Sequence, residues 1–145
     1  MGSSTICVDA SFVLRMFLGP DDAEAWDRWE SSLAEGSTFQ APSLLGYEVT
    51  NALHRYHRAG YLSSVSAEIA LDAALALPIS LEDSPSVHAA ALRLAGALGL
   101  PATYDAHSLA LADQLGAELW TADAKLMREL GGRGPRIRLL GETGS

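Results

Sequence analysis

Short apolar runs recur along this chain, separated by longer stretches with helical period. The runs Thr5-Ile6-Cys7-Val8, Thr38-Phe39-Gln40-Ala41, Ile79-Ser80-Leu81, Glu118-Leu119-Trp120-Thr121 and Ile137-Arg138-Leu139-Leu140 predict strands. Helices are predicted between them, each with a chemical stop. Phe12 to Leu18 ends at Gly19-Pro20, and a capping pair of Asp21 with Glu24 opens a helix to about Glu35, closed by Gly36. Pro42 and Ser43 lead into a long helix to about Ala59, and another runs from about Ser66 to Leu77, stopped by Pro78. Ser84-Pro85 starts a helix to Leu98, Thr103 one to Leu115, and Asp123 one to Leu130. The Gly131-Gly132-Arg133-Gly134-Pro135 segment reads as a turn.

Strands alternating with helices imply an α/β fold: a central, mostly parallel sheet of about five short strands flanked by helices. A chain of 145 residues suits one domain over residues 1–145, with a core from about 5 to 140 and flexible ends at 1–4 and 141–145. Cys7 is the sole cysteine, which excludes an internal disulfide and a cysteine zinc cluster and suits a reducing, cytoplasmic compartment. Cys7 itself reads as a small buried strand residue. No apolar run approaches the ~18 residues of a membrane span, and the first residues lack the features of a signal peptide.

In open parallel sheets ligands gather at the C-terminal ends of the strands. Asp9 follows the first strand directly, and Asp123 comes two residues after Thr121. Asp105 falls in the first turn of its helix, where free N–H groups favour a carboxylate. Glu48 lies on or beside the stripe Leu45, Val49, Ala52 and Leu53. Taken singly, Asp123 reads as a helix cap, Asp105 as a helix-start charge and Glu48 as half of a buried ion pair. Asp9 is harder to explain that way, because an acid ending a buried strand needs a partner.

The formal charge of −8 sits poorly with a polyanionic partner unless the acids are concentrated where a cation neutralises them. Converging carboxylates stay ionised together only around a cation. Oxygen donors select hard ions, so Mg²⁺ is the expected cofactor, with Mn²⁺ able to substitute. Carboxylate-held Mg²⁺ serves phosphoryl transfer and phosphodiester hydrolysis.

The segments Val8-Asp9-Ala10-Ser11, Tyr47-Glu48-Val49-Thr50-Asn51-Ala52-Leu53, Tyr104-Asp105-Ala106 and Leu119-Trp120-Thr121-Ala122-Asp123 occur in this order. The ordered set resembles the PIN-domain nucleases, most of all the VapC toxins of VapBC toxin–antitoxin modules, over about Thr5 to Leu140. The resemblance implies a metal-dependent endoribonuclease leaving 5′-phosphate and 3′-hydroxyl ends, held in check by a VapB-type antitoxin and working as a homodimer. It carries Asp9, Glu48, Asp105 and Asp123 over as metal-binding and catalytic acids. Thr121 matches a hydroxyl that orients the acidic centre, and Ser11 and Asn51 match supporting positions. The chain departs from many relatives at His107-Ser108, where an aromatic residue is common.

Arg15, Arg55, Arg58, Lys125 and Arg128 are candidates for RNA phosphate contact, against the plainer reading of a solvated face. His54 and His57 could hold a transition metal but read more simply as part of a basic patch. His107 could act as a base, and His88 reads as structural or exposed. Trp26, Trp29 and Leu33 are either a core stripe or, with Phe12 and Met16, an apolar groove for an antitoxin segment. Two other readings fit an acidic cluster: a receiver-like phosphoacceptor module and a catalytically silent PIN-like binding protein. Against the receiver, Thr121 and Lys125 are too close in sequence to come from separate strands.

Overall fold

The apolar run Thr5–Val8 forms β1, the middle strand of a five-stranded sheet. In the computed structural model, which describes residues 4–20 and 22–140, β2 (Thr38–Pro42) and β3 (Ile79–Glu82) lie to one side of it. β4 (Glu118–Thr121) and β5 (Ile137–Leu139) lie to the other, giving the order β3-β2-β1-β4-β5. Every pairing is parallel, beyond the mostly parallel sheet that the sequence predicts. Chain order reverses between β1 and β4, which makes their C-terminal ends the crevice of the sheet. Val8 pairs with Trp120, so the next residues, Asp9 and Thr121, emerge side by side.

The two-residue period of the strands feeds two cores. Ile6 and Val8 of β1 and Trp120 of β4 point into one, and Cys7 and Leu119 into the other. The first core is covered by α1 (Ala10–Phe17), α2 (Asp22–Ala34), α3 (Leu44–Arg58) and α4 (Ser64–Leu75). The second is covered by α5 (Pro85–Leu98), α6 (Tyr104–Leu115) and α7 (Ala124–Leu130). A parallel sheet covered on both faces follows from strands apolar on both sides.

The first core is built on aromatic contacts. Trp29 stacks on Phe39 at a centroid distance of 3.8 Å, and Phe12 and Phe39 pack at 5.3 Å and 5.8 Å from Trp120. These contacts correct the groove expected along Phe12, Met16, Trp26, Trp29 and Leu33. Phe12, Met16 and Trp29 are buried, because α1 and α2 press the stripe onto the sheet. Trp26 is half-buried, edge-on to Phe17, and its indole N–H donates to the Met16 carbonyl. Leu33 is exposed at the far end of α2 and belongs to neither core.

Helix boundaries follow the caps. α1 starts two residues earlier than predicted because Asp9 accepts from the Phe12 N–H. α4 also starts early, because Ser63 accepts from the Ser66 N–H. Pro85 opens α5, and Gly99 closes it in a left-handed conformation (φ 70°). Ser4, expected in a flexible end, is pinned: its carbonyl accepts from Thr38 N–H at 2.9 Å and its hydroxyl meets that of Ser37 at 3.2 Å. Asp21, the expected partner of Glu24, and the ends 1–3 and 141–145 lie outside the described residues. No helix among the described residues is long and apolar enough to cross a membrane.

Candidate active site

Asp9 sits between two hydroxyls at the end of β1. Ser11 Oγ donates to its Oδ1 at 2.6 Å, Phe12 N–H donates to the same oxygen at 3.0 Å, and Thr121 Oγ1 donates to Oδ2. The hydroxyls also accept: Ser11 Oγ from Ala122 N–H at 2.9 Å and Thr121 Oγ1 from Asp123 N–H at 3.0 Å. Each hydroxyl carries one proton. With Asp9 ionised, both protons serve its carboxylate, and the 3.0 Å approach of Ser11 Oγ to Thr121 Oγ1 holds none of its own. The mesh fixes the Asp9 carboxylate to the turn after β4 and hence to Asp123.

Asp123 caps α7 by accepting from Leu126 N–H at 3.1 Å, as its cap reading requires. That bond uses one of its two carboxylate oxygens. Glu48 is half-buried on α3, flanked by the buried Leu45, Val49 and Leu53. Asp105 is exposed in the first turn of α6.

The charges act on one another. Burial, then the Asp9 and Asp105 carboxylates, push Glu48 up to about 7. Burial, then Asp123, Asp9 and Glu129, push Asp105 up to about 6, with Lys125 opposing. Burial and Asp123 raise Asp9, against the lowering effect of its three hydrogen bonds. The charged groups acting on Asp9 and Glu48 are all carboxylates. Four acids from separate segments thus share one electrostatic neighbourhood, and Glu129 of α7 adds a fifth that the sequence did not single out.

The PIN domain family model matches residues 6–132. The chain belongs to the PIN domain family. A search of curated protein sequences found no match. Solved structures share the fold. A Pyrobaculum aerophilum protein is 23% identical with a TM-score of 0.67, over 92% of this chain and 89% of that one. VapBC2 from Rickettsia felis, bound to a DNA fragment from its promoter, is 17% identical with a TM-score of 0.67, over 93% and 98%. A toxin–antitoxin complex from Klebsiella pneumoniae is 20% identical with a TM-score of 0.62, over 94% and 98%.

The strand order of this PIN domain corrects the receiver-like reading. Receivers of the flavodoxin type run 2-1-3-4-5, whereas here β2 lies between β1 and β3.

The donor chemistry of the acids suits a hard cation. Among the described residues no three His, Cys, Asp or Glu side chains converge into a ready-made cage. Mg²⁺ does not require one: it keeps several waters and is held by one or two carboxylates together with substrate phosphates. An all-oxygen set in which burial and neighbouring carboxylates raise Asp9, Glu48 and Asp105 fits such an ion.

The remaining predicted residues divide by place. Ser11 is inside the hydrogen-bonded mesh. Asn51 is on the exposed side of α3, in a shallow groove with Tyr47, Thr50 and His54, and joins none of those bonds. Lys125 acts on Asp105 and also stands 3.9 Å from Glu129. Arg55, Arg58 and Arg128 are exposed, and Arg15 is half-buried. The His57 ring meets the Leu62 carbonyl at 2.9 Å through Nδ1, which ties it to the α3–α4 turn. Burial pushes the Cys7 thiol up to about 12, which leaves it inert near neutrality.

Beside Ser11 and Ala122 opens a cleft of about 600 Å³ lined by Leu14, Arg15, Phe17, Leu18, Tyr56 and Tyr61. It uses the face of α1 opposite the expected groove. The signal was present in the sequence: Leu14, Phe17 and Leu18 form a second apolar stripe at i, i+3, i+4.

Proposed function

We propose that this PIN domain is a Mg²⁺-dependent endoribonuclease, the toxin of a VapBC-type module. The carrying observation is that Asp9, held by Ser11, Thr121 and the Phe12 N–H at the end of β1, is tied through Thr121 to Asp123 and acts on Glu48 and Asp105, which burial and neighbouring carboxylates raise. A protein keeps such unfavourable charges at a crevice where a cation relieves them. Family membership supports nuclease chemistry, because PIN domains are generally nucleases. The toxin reading draws on the VapBC and toxin–antitoxin complexes that share the fold.

Asp9, Glu48, Asp105 and Asp123 would hold the ion between them, one or two directly and the others through its waters. Bound there, the ion supplies a water acidified toward neutrality and offsets charge on the phosphate. Ser11 and Thr121 fix the orientation of Asp9, and Phe12 N–H holds the same carboxylate from the start of α1. Without the ion, burial and the neighbouring carboxylates let Glu48 and Asp105 hold protons toward neutral pH, and binding the ion would displace them. Arg15, Arg55, Arg58, Lys125 and Arg128 offer positive charge for the RNA backbone around an otherwise acidic crevice.

The cleft beside Ser11 is the surface we assign to the antitoxin. Its apolar walls suit an apolar segment. A peptide seated there would lie against the hydroxyl that holds Asp9. Pairing of two copies belongs to the same proposal: Val65, Ile69 and Leu75 of α4 are exposed apolar residues available to it.

The test is cleavage of labelled RNA by the purified protein. Activity is expected with Mg²⁺ or Mn²⁺, to vanish in EDTA and to return on re-addition. Full cleavage in chelator rejects the metal. Absence of cleavage under every metal, with specific antitoxin binding retained, favours the silent binding protein.

A further inference from the structure

At the edge where α5 meets α6, the rings of His88 and His107 lie 5.0 Å apart at 72°. His88 Nδ1 is 2.9 Å from His107 Nε2. The outer nitrogen of each ring is engaged elsewhere. His107 Nδ1 lies 2.7 Å from the Thr103 carbonyl oxygen, which only accepts, so this nitrogen carries the proton. His88 Nε2 stands 3.4 Å from Asp83 Oδ1, an ion-pair distance that leaves its proton unassigned. With His107 Nε2 left as an acceptor, a neutral His88 meets it by donating from Nδ1; the other His88 tautomer, with its proton on the Asp83 side, turns a second lone pair toward the first. In that tautomer the two lone pairs form a ready pair of imidazole ligands for a metal ion.

Metal-binding imidazoles have this arrangement: the ligand nitrogen points inward, and the other N–H is held by a carboxylate or a backbone carbonyl. We propose that His88 and His107 form a binding site for one divalent transition-metal ion such as Zn²⁺, Ni²⁺ or Cu²⁺, with Asp83 and the Thr103 carbonyl orienting the rings. Two Zn–N bonds at a tetrahedral angle separate the nitrogens by about 3.3 Å, so the pair opens by only about 0.4 Å. The His88 side chain is 58% exposed and has room for that turn. Imidazole selects Zn, Cu and Ni, whereas the carboxylates of the crevice select Mg²⁺, so the two sites differ in the ions they take. Among the described residues no third His, Cys, Asp or Glu completes the set, and solvent fills the other positions. An ion here clamps α5 to the first turn of α6, the turn that presents Asp105.

The experiment is a calorimetric titration of the full chain with Ni²⁺ or Zn²⁺ in excess Mg²⁺, which occupies the oxygen sites. Cu²⁺ binding is followed in parallel by electron paramagnetic resonance. One transition ion per chain is expected, with coupling to two nitrogens. His88→Ala should weaken binding by more than ~10-fold, and Asp83→Asn by about 10–100-fold. His54→Ala and His57→Ala should leave it unchanged. Equal affinity in His88→Ala and wild type, or copper spectra without nitrogen coupling, overturns the site. His88 is on the surface, and an unchanged melting temperature in metal-free buffer shows that its replacement leaves the fold intact. The readout is binding, so the result stands whether or not the chain cleaves RNA.

Discussion

Thr121 donates its hydroxyl proton to Asp9 across 112 positions of chain, at the point where strand order reverses between β4 and β1. The same oxygen accepts from Asp123 N–H, so one buried hydroxyl links two of the acids. Thr121→Val preserves the shape and removes both bonds. It leaves Asp9 Oδ2 and the Asp123 N–H unsatisfied, at about 1–3 kcal/mol in urea unfolding. RNA cleavage should fall by about 10–100-fold, the scale for losing a group that orients a metal ligand. Thr121→Ser keeps the hydroxyl and should keep most of the rate. Equal rates for Val and Ser at this position would remove Thr121 from the site.

Asp9→Asn separates charge from geometry. Asn caps helices about as well as Asp, so α1 should start where it does now. The lost charge is one that burial and Asp123 disfavour, so the metal-free variant should melt no lower than wild type near neutral pH. Cleavage should drop by at least ~100-fold, as for other groups that organise charge in a transition state. Wild-type cleavage by a correctly folded Asp9→Asn protein contradicts the proposed mechanism.

The raised acids also set a pH dependence. Glu48 moves from 4.5 to about 7 and Asp105 from 3.8 to about 6, so the folded chain binds these protons more tightly than the unfolded chain. Their stabilisation is fully present below the unfolded values and is lost as pH rises through the folded ones. Glu48 dominates, because solvent screens the exposed Asp105. In chelator the melting temperature should fall between about pH 5 and about pH 7.5, and saturating Mg²⁺ should flatten the fall. A melting temperature that climbs with pH across this window in chelator would show that the acids are not electrostatically coupled.

Much of this arrangement was legible in the sequence because its signals are local. An apolar run halted by Asp9, a Thr-Ala-Asp after a strand and a Pro at a helix start each carry their meaning within a few residues. Asp9 caps α1, and Asp9-Ala10-Ser11 carries that signal locally too. Other features depend on packing across the fold. Whether Trp29 faces the core or a partner is decided by Phe39 stacking on it from β2. His88 and His107 are 19 residues apart on two helices, and no periodicity announces that their rings meet. Glu129 of α7 acts on Asp105 of α6 across the intervening β4, a relation that no local pattern announces.

The relocated cleft separates a surface role from a structural one. Tyr61 is 79% exposed at its rim, and Leu14, Phe17 and Leu18 line it from α1. Tyrosines that anchor a partner typically cost about 2 kcal/mol or more when truncated. Tyr61→Ala should therefore weaken antitoxin binding by more than ~10-fold while the free protein keeps its RNA cleavage rate. Trp29→Ala should act differently. Trp29 is buried against Phe39, so its loss should cost about 3–5 kcal/mol of folding stability and lower antitoxin binding only as far as it lowers the folded fraction. Binding measured by calorimetry, alongside urea unfolding of both variants, distinguishes the two. A Tyr61→Ala protein that binds antitoxin as tightly as wild type would move the partner to another face.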